Sequence, residues 1–263
     1  MKTGNRISFE VALIAIFCLS LVPMASGATK EQVVRLEAAE NLKYVSQQIT
    51  KAYFYKEMEI RIVQAKRDLQ EGMTALDSDI KTLSDGVTDE EAMGVLTFIS
   101  FSRDEMEGTL KQPYSEENGA LMLDFSESLL EGASLIAGKQ GSEADAAAAE
   151  LVIVKQMGFL LERMNKYYIA HKAGFKDYNN VVQLEKAVDE FEANLTKVNA
   201  YSYPASLRPS TEKINKFWPI AKRFYLGIEK GALPIIVMSS TDNLGRALDN
   251  LLDYHLGQIT TKS

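Results

Sequence analysis

Lys43-Tyr44-Val45-Ser46-Gln47-Gln48-Ile49-Thr50-Lys51-Ala52-Tyr53 is answered, 115 residues further on, by Gly158-Phe159-Leu160-Leu161-Glu162-Arg163-Met164-Asn165-Lys166-Tyr167-Tyr168. Val45, Ile49 and Tyr53 stand opposite Leu160, Met164 and Tyr168, the four-residue spacing of one helix face. The same offset carries Leu69, Met73, Leu76, Ile80 and Leu83 onto Leu184, Val188, Phe191, Leu195 and Val198. Towards the ends of the two halves Ala120, Leu121, Met122, Leu129 and Ile136 face Ile235, Ile236, Val237, Leu244 and Leu251. Identities are few, Lys51/Lys166 and Leu69/Leu184 being the clearest. One amphipathic helix matches another by chance, but one ungapped offset held across most of a unit argues for an internal duplication.

The punctuation within each half is helical. Only 16 Gly and 6 Pro occur in 263 residues, too few turn formers for a sandwich or barrel that needs a turn every 8–12 residues. Val34, Leu42, Val45, Ile49, Ala52 and Tyr53 mark a first helix, and Thr88 with Glu91 forms a capping box before Met93, Leu96 and Ile99. Pro113 and Ser115 open a fourth helix that runs through Leu121, Phe125, Leu129 and Ala133 towards Gly138. Gly86 and the stretch 111–115 are short turns, which make successive helices antiparallel neighbours. In the second half Gly174 and Asp177 separate two helices, Tyr203, Pro204 and Pro209 mark the longest loop, and Pro234 starts the last helix. Pro219, after Trp218, should kink the helix that contains it. The prediction is an all-α protein of two tandem antiparallel four-helix bundles, residues 28–138 and 151–263. A short linker over 139–150 joins them, with Gly138 and Gly141 as hinge, a Ser142/Asp145 cap and Ala146–Ala149 as a first helical turn.

Residues 1–27 have the layout of a secretory signal peptide. Lys2 and Arg6 form a positive n-region, residues 11–22 an apolar core closed by Pro23, and Ala25 and Gly27 a small-residue cleavage site before Ala28. The apolar run is shorter than the ~20 residues that span a bilayer core, so cleavage is expected rather than retention as an anchor. Removal of Lys2, Arg6 and Glu10 takes the net charge from −7 to −8. The single cysteine, Cys18, leaves with the signal, so disulfides and thiolate-held metals are not expected in the mature chain. Together these features predict a periplasmic protein without a transmembrane segment after cleavage. An acidic chain without a basic stripe offers nothing to nucleic acid.

The polar run in 43–53 resembles the first helix of the PilJ-type domain. This is the N-terminal module of type IV pili methyl-accepting chemotaxis transducers, similar to the sensor domain of NarX-like nitrate/nitrite kinases. The family pattern runs approximately Gly-Arg-Gln-Arg-Met-Leu-Ser-Gln-Arg-hydrophobic-Ala-Lys. Ser46-Gln47 and Lys51 match it, as do Arg163, Met164 and Lys166 in the second copy, and Asp242-Asn243-Leu244 with Leu251-Leu252 resemble its last helix. The resemblance covers most of residues 30–260 as two copies. It implies a periplasm-facing helical bundle that senses a small ligand, an anion held by arginines of paired first helices in the NarX-like relatives. The upstream arginine positions hold Asn41, Lys43, Gln156 and Gly158 here, and no kinase or methyl-accepting domain is expected to follow. The expected protein is thus a detached, doubled sensor module that a membrane chemoreceptor or sensor kinase reads.

A duplication can imitate a homodimer and set the two first helices side by side about a pseudo-two-fold axis. Lys43, Lys51, Arg163 and Lys166 are then the candidate ligand-binding residues for a small anion, Arg offering a planar fork and Lys a point charge. The alternative is that these cations are solvated or paired with local acids such as Glu40 and Glu162. Tyr53-Phe54-Tyr55 and Tyr167-Tyr168 serve either as a pocket lining or, more simply, as core. Enzymatic chemistry is not expected. His171 and His255 lack a Glu three residues before them, and there is no His-Glu-x-x-His, phosphate loop or nucleophile elbow, so neither metal nor cofactor is predicted. Asp77/Asp79 and Glu90/Glu91 read as solvated faces or helix-start charges, and Asn194-Leu195-Thr196 as a chance glycosylation pattern within a helix. The competing expectation is a structural or protein-interaction bundle with no small-molecule ligand.

Overall fold

The computed structural model describes residues 30–141, 146–230 and 234–260. Among these the chain is all-helical, with no strand. The helices are α1 (Lys30–Glu57), α2 (Ile62–Gly86), α3 (Glu90–Leu110), α4 (Glu116–Gly141), α5 (Ala146–Lys172), α6 (Tyr178–Ala200), α7 (Arg208–Leu226) and α8 (Pro234–Thr260). Single 3-10 turns at Ala205–Leu207 and Ile228–Lys230 flank α7. No helix of the described residues is long and apolar enough to cross a membrane. The signal segment 1–27 and the Ser142/Asp145 cap lie outside the described residues. At the join, residues 139–141 prolong α4 and residues 146–150 open α5.

The helix bounds repeat with the sequence. Moving α2 forward by 115 positions gives 177–201, where α6 occupies Tyr178–Ala200; moving α3 gives 205–225, filled by the first 3-10 turn and α7. Local chemistry sets these ends. Asp89, not Thr88, caps α3 by accepting the Ala92 N–H at 2.9 Å, which corrects the capping box expected from Thr88 and Glu91. A carboxylate at the positive end of a helix gains charge stabilisation that a hydroxyl lacks. Lys139 reaches back to Asp89 at 2.6 Å and to Glu91 at 2.8 Å, so Glu91 serves that cation. Ser115 accepts the Asn118 N–H at 3.0 Å and Asp177 the Asn179 N–H at 2.6 Å, as their positions predict. Gly174 takes φ +111°, a conformation that favours glycine.

The turn between α1 and α2, Met58-Glu59-Ile60-Arg61, contains no glycine or other turn former to mark it. Glu59 (φ 57°) and Arg61 (φ 47°) both adopt left-handed backbone, at roughly 1–2 kcal/mol each. The Ile60 N–H to Tyr55 carbonyl bond at 2.9 Å closes the turn.

α1 packs against α2, α4 and α5, and α5 packs against α6 and α8 in turn. α3 lies on α4 and α7 on α8, whereas α2–α3 and α6–α7 touch more lightly. Two apolar clusters result. One is built mainly from α1–α4 with Ile169, Ala170 and Met238 added; the other comes from α5–α8 and Ile228 of the second 3-10 turn. α1 and α5 are therefore enclosed on several sides, and residues 161–170 are buried without a break. Tyr53, Phe54, Tyr55, Tyr167 and Tyr168 are all buried within this packing. Trp218 stacks on Phe191 with centroids 4.1 Å apart, and α7 continues as one helix across Pro219.

The first cluster also takes in an aromatic ring from beyond α4. Phe175, in the turn after α5, lies 5.3 Å centroid to centroid from Phe54 of α1, over Gly119 of α4. A Cβ at Gly119 would fall 2.4 Å from the Phe175 ring. Gly119→Ala is therefore expected to destabilise the chain by about 1–3 kcal/mol through overpacking, although alanine is the better helix former by about 1 kcal/mol. Urea unfolding measures this, and an increase in stability would show that Phe175 is free to move aside.

Candidate functional site

The α1–α5 seam brings together side chains that a core normally excludes. Lys43, Ser46, Gln47, Thr50 and Lys51 of α1 are buried, as are Glu162, Arg163, Asn165 and Lys166 of α5. Buried charge is tolerated only when paired, and each of the four predicted cations has a carboxylate. Lys43 lies 2.5 Å from Glu40, one turn earlier. Lys51 lies 2.6 Å from Glu162, an ion pair that crosses the seam. Arg163 grips Glu127 of α4 with both terminal nitrogens at 2.8 Å and also donates to Gln183 at 3.0 Å. Lys166, 0% exposed, donates to Ser126 Oγ at 2.9 Å and to Glu127 Oε1 at 2.5 Å. Its ammonium also lies 4.1 Å from the Tyr167 ring centroid.

The four cations thus divide among three carboxylates rather than converging. Arg163 and Lys166 share Glu127; Lys51 pairs across to Glu162, and Lys43 stays with its own helix. Glu127 was not singled out by the sequence reading, because nothing in α4's pattern marks it as the partner of residues 36 and 39 positions away.

The ionisation of these groups follows their surroundings. Burial opposes the charge of Glu127, but Lys166 and Arg163 outweigh it and hold the carboxyl down at about 2. Burial, followed by the repulsion of Arg163, pulls Lys166 down to about 7 against the support of Glu127. Burial also opposes Lys51, yet Glu162 lifts it above the ordinary lysine value. Burial pushes Glu162 upward while Lys51 pulls it back.

Two cavities flank the seam. The first, about 280 Å³, is walled by α1, α4, α5 and α6 and includes Lys43, Leu130, Arg163, Gln183 and Lys186. The second, about 310 Å³, opens between α1, α2, α5 and α8. The 115-residue offset relates them: Arg163, Gln183, Leu130 and Ser134 line the first where Gln48, Asp68, Gly245 and Asp249 line the second. Of the predicted residues, Lys43 and Arg163 face the first cavity and Lys51 the second. Among the described residues no group of His, Cys, Asp and Glu could hold a metal. Comparison with protein-family models, curated proteins and solved structures finds no match.

Proposed function

We propose that this chain is a non-enzymatic, periplasmic sensory module made of two copies of one four-helix bundle, α1–α4 and α5–α8. These copies are the units expected at 28–138 and 151–263, joined by the 139–150 linker. A small polar solute binds at the α1–α5 seam, changes how the two helices pack, and a membrane chemoreceptor or sensor kinase reads the altered surface. One observation carries this reading. Where α1 meets α5, cavities set charged side chains among apolar ones, and concave sites with a few convergent polar groups are where small ligands bind. The likeness of residues 43–53 and 163–166 to PilJ-type modules points the same way.

An inorganic oxyanion must displace Glu127 from Arg163 and Lys166 before it can use them. That competition sets a clear test. Thermal unfolding of the full chain with a panel of oxyanions and small metabolites should raise Tm for any solute that binds only the folded state. If an oxyanion does so, Glu127→Gln should strengthen the response by freeing the guanidinium. No shift from any solute, together with capture of a receptor ectodomain, would leave the protein-interaction reading. That reading draws on Phe98 and Phe101, one turn apart and both exposed on α3.

A further inference from the structure

The two cavities are lined by residues at equivalent positions of the 115-residue offset yet differ in how their charges are satisfied. In the first, Glu127 closes on Arg163 and Lys166, so acid and bases are spent on each other. In the second, the position of Arg163 is Gln48 and the position of Gln183 is Asp68. Two bulky residues of the first wall, Lys43 and Leu130, are matched by Gly158 and Gly245. A fork has been lost, an acid gained and the wall lowered.

The acid is the informative change. Asp68 is 7% exposed and lines the cavity, where it accepts one hydrogen bond, from the neutral Gln64 amide at 2.5 Å. Among the described residues no cation forms a salt bridge with it, although buried carboxylates are ordinarily paired. Its neighbours in the cavity are spoken for: Lys51 by Glu162 at 2.6 Å, and Asp242 by Arg61 at 2.6 Å. Asp68, Glu162 and Asp242 outnumber Lys51 and Arg61, so this side of the cavity is one positive charge short. At the exposed rim the imbalance reverses. Arg246 bonds only the Asn243 amide, at 3.0 Å; Arg67 bonds the Gln64 amide oxygen at 2.5 Å and comes no closer than 3.9 Å to Glu71; and one lining acid, Asp249, stands against the two.

We propose that the cavity between α1, α2, α5 and α8 binds a free α-amino acid, its ammonium on Asp68 and its carboxylate on Arg246 and Arg67. A volume of about 310 Å³ accommodates such a molecule. The two ligand charges complete the two incomplete sets, each through charge-assisted hydrogen bonds. Leu161, Met238 and Leu248 supply apolar wall for a side chain. The proposal rests on the sensory reading above and names its ligand class and its cavity.

Titration calorimetry of the full chain with the proteinogenic L-α-amino acids tests it, set against their N-acetyl derivatives and the corresponding decarboxylated amines. At least one amino acid should bind, and both modified forms should bind about tenfold or more weakly, since each removes one charged contact. Asp68→Asn should cost the same factor. Arg246→Ala, at an exposed position that does not bear on folding, should cost about tenfold and guards against a misfolded Asp68 variant. Equal binding of the N-acetyl form, or unaltered affinity in both the Asp68 and Arg246 variants, would overturn the site. Binding of oxyanions or other solutes without any amino acid would overturn this inference and keep the sensory reading. Silence toward every solute would end both.

Discussion

Lys51→Met is expected to lower the unfolding free energy by about 3–5 kcal/mol, the cost of stranding a buried carboxylate. Glu162 lies across the seam from Lys51, and both side chains are nearly enclosed. For a chain of this length that loss corresponds to a fall in Tm of roughly 6–20 °C. The double variant Lys51→Met/Glu162→Leu should recover most of it, because two apolar residues then fill the space of a desolvated ion pair. The deficit of the single variant should also shrink at lower pH. Burial already raises Glu162, so without Lys51 it takes up a proton more readily and the stranded charge disappears. Urea titrations of the four species give the coupling energy directly. Equal loss in the single and double variants would mean that the pair does not hold α1 against α5.

Lys166→Met should flatten the dependence of stability on pH between about 7 and 10. The folded-state value of Lys166 is about 7, against 10.5 for the ordinary side chain. Through that window the unfolded chain binds a proton that the folded chain does not, so stability rises with pH. The slope attributable to one proton is about 1.4 kcal/mol per pH unit at most. Glu127 acts at the opposite end. Held at about 2 from 4.5, it stabilises the fold above its unfolded value, and that contribution is lost as pH falls from 4.5 towards 2. Denaturant unfolding of both chains from pH 2 to 10 separates the two groups. Parallel profiles above pH 7 would show that Lys166 keeps its proton throughout.

The helices and their 115-residue register were legible because they rest on local apolar spacing, which each helix carries in its own residues. Val45, Ile49 and Tyr53 needed no partner to be recognised as one face. The cap at Asp89 was missed by one residue because Thr88 and Asp89 both suit the role and only the backbone decides between them. The turn at Glu59 and Arg61 left no trace, since left-handed backbone at non-glycine residues is imposed by tertiary packing. The candidate site was half visible. Lys43, Lys51, Arg163 and Lys166 stood out as cations on the inner helices, and Glu40 and Glu162 as local acids able to pair with them. Of the acids near them, Glu127 and Asp68 lie on α4 and α2, where a single charge in an amphipathic pattern resembles any solvated residue, and Asp242 on α8 is marked only through the Asp242-Asn243-Leu244 motif. Polar burial is a property of two helices meeting, and one helix's sequence does not contain it.

In the reading of two fused copies, the exchange of Arg163 for Gln48 has a consequence for how the protein responds to concentration. A symmetric dimer encodes both of its sites with one gene segment, so every substitution strikes twice and the sites stay alike. Joining the copies in one chain lifts that constraint. One half can then seal its site with an internal carboxylate while the other stays vacant for a guest. Such a molecule saturates along a simple hyperbola, with one occupant per chain, where its symmetric ancestor would have had two sites to couple.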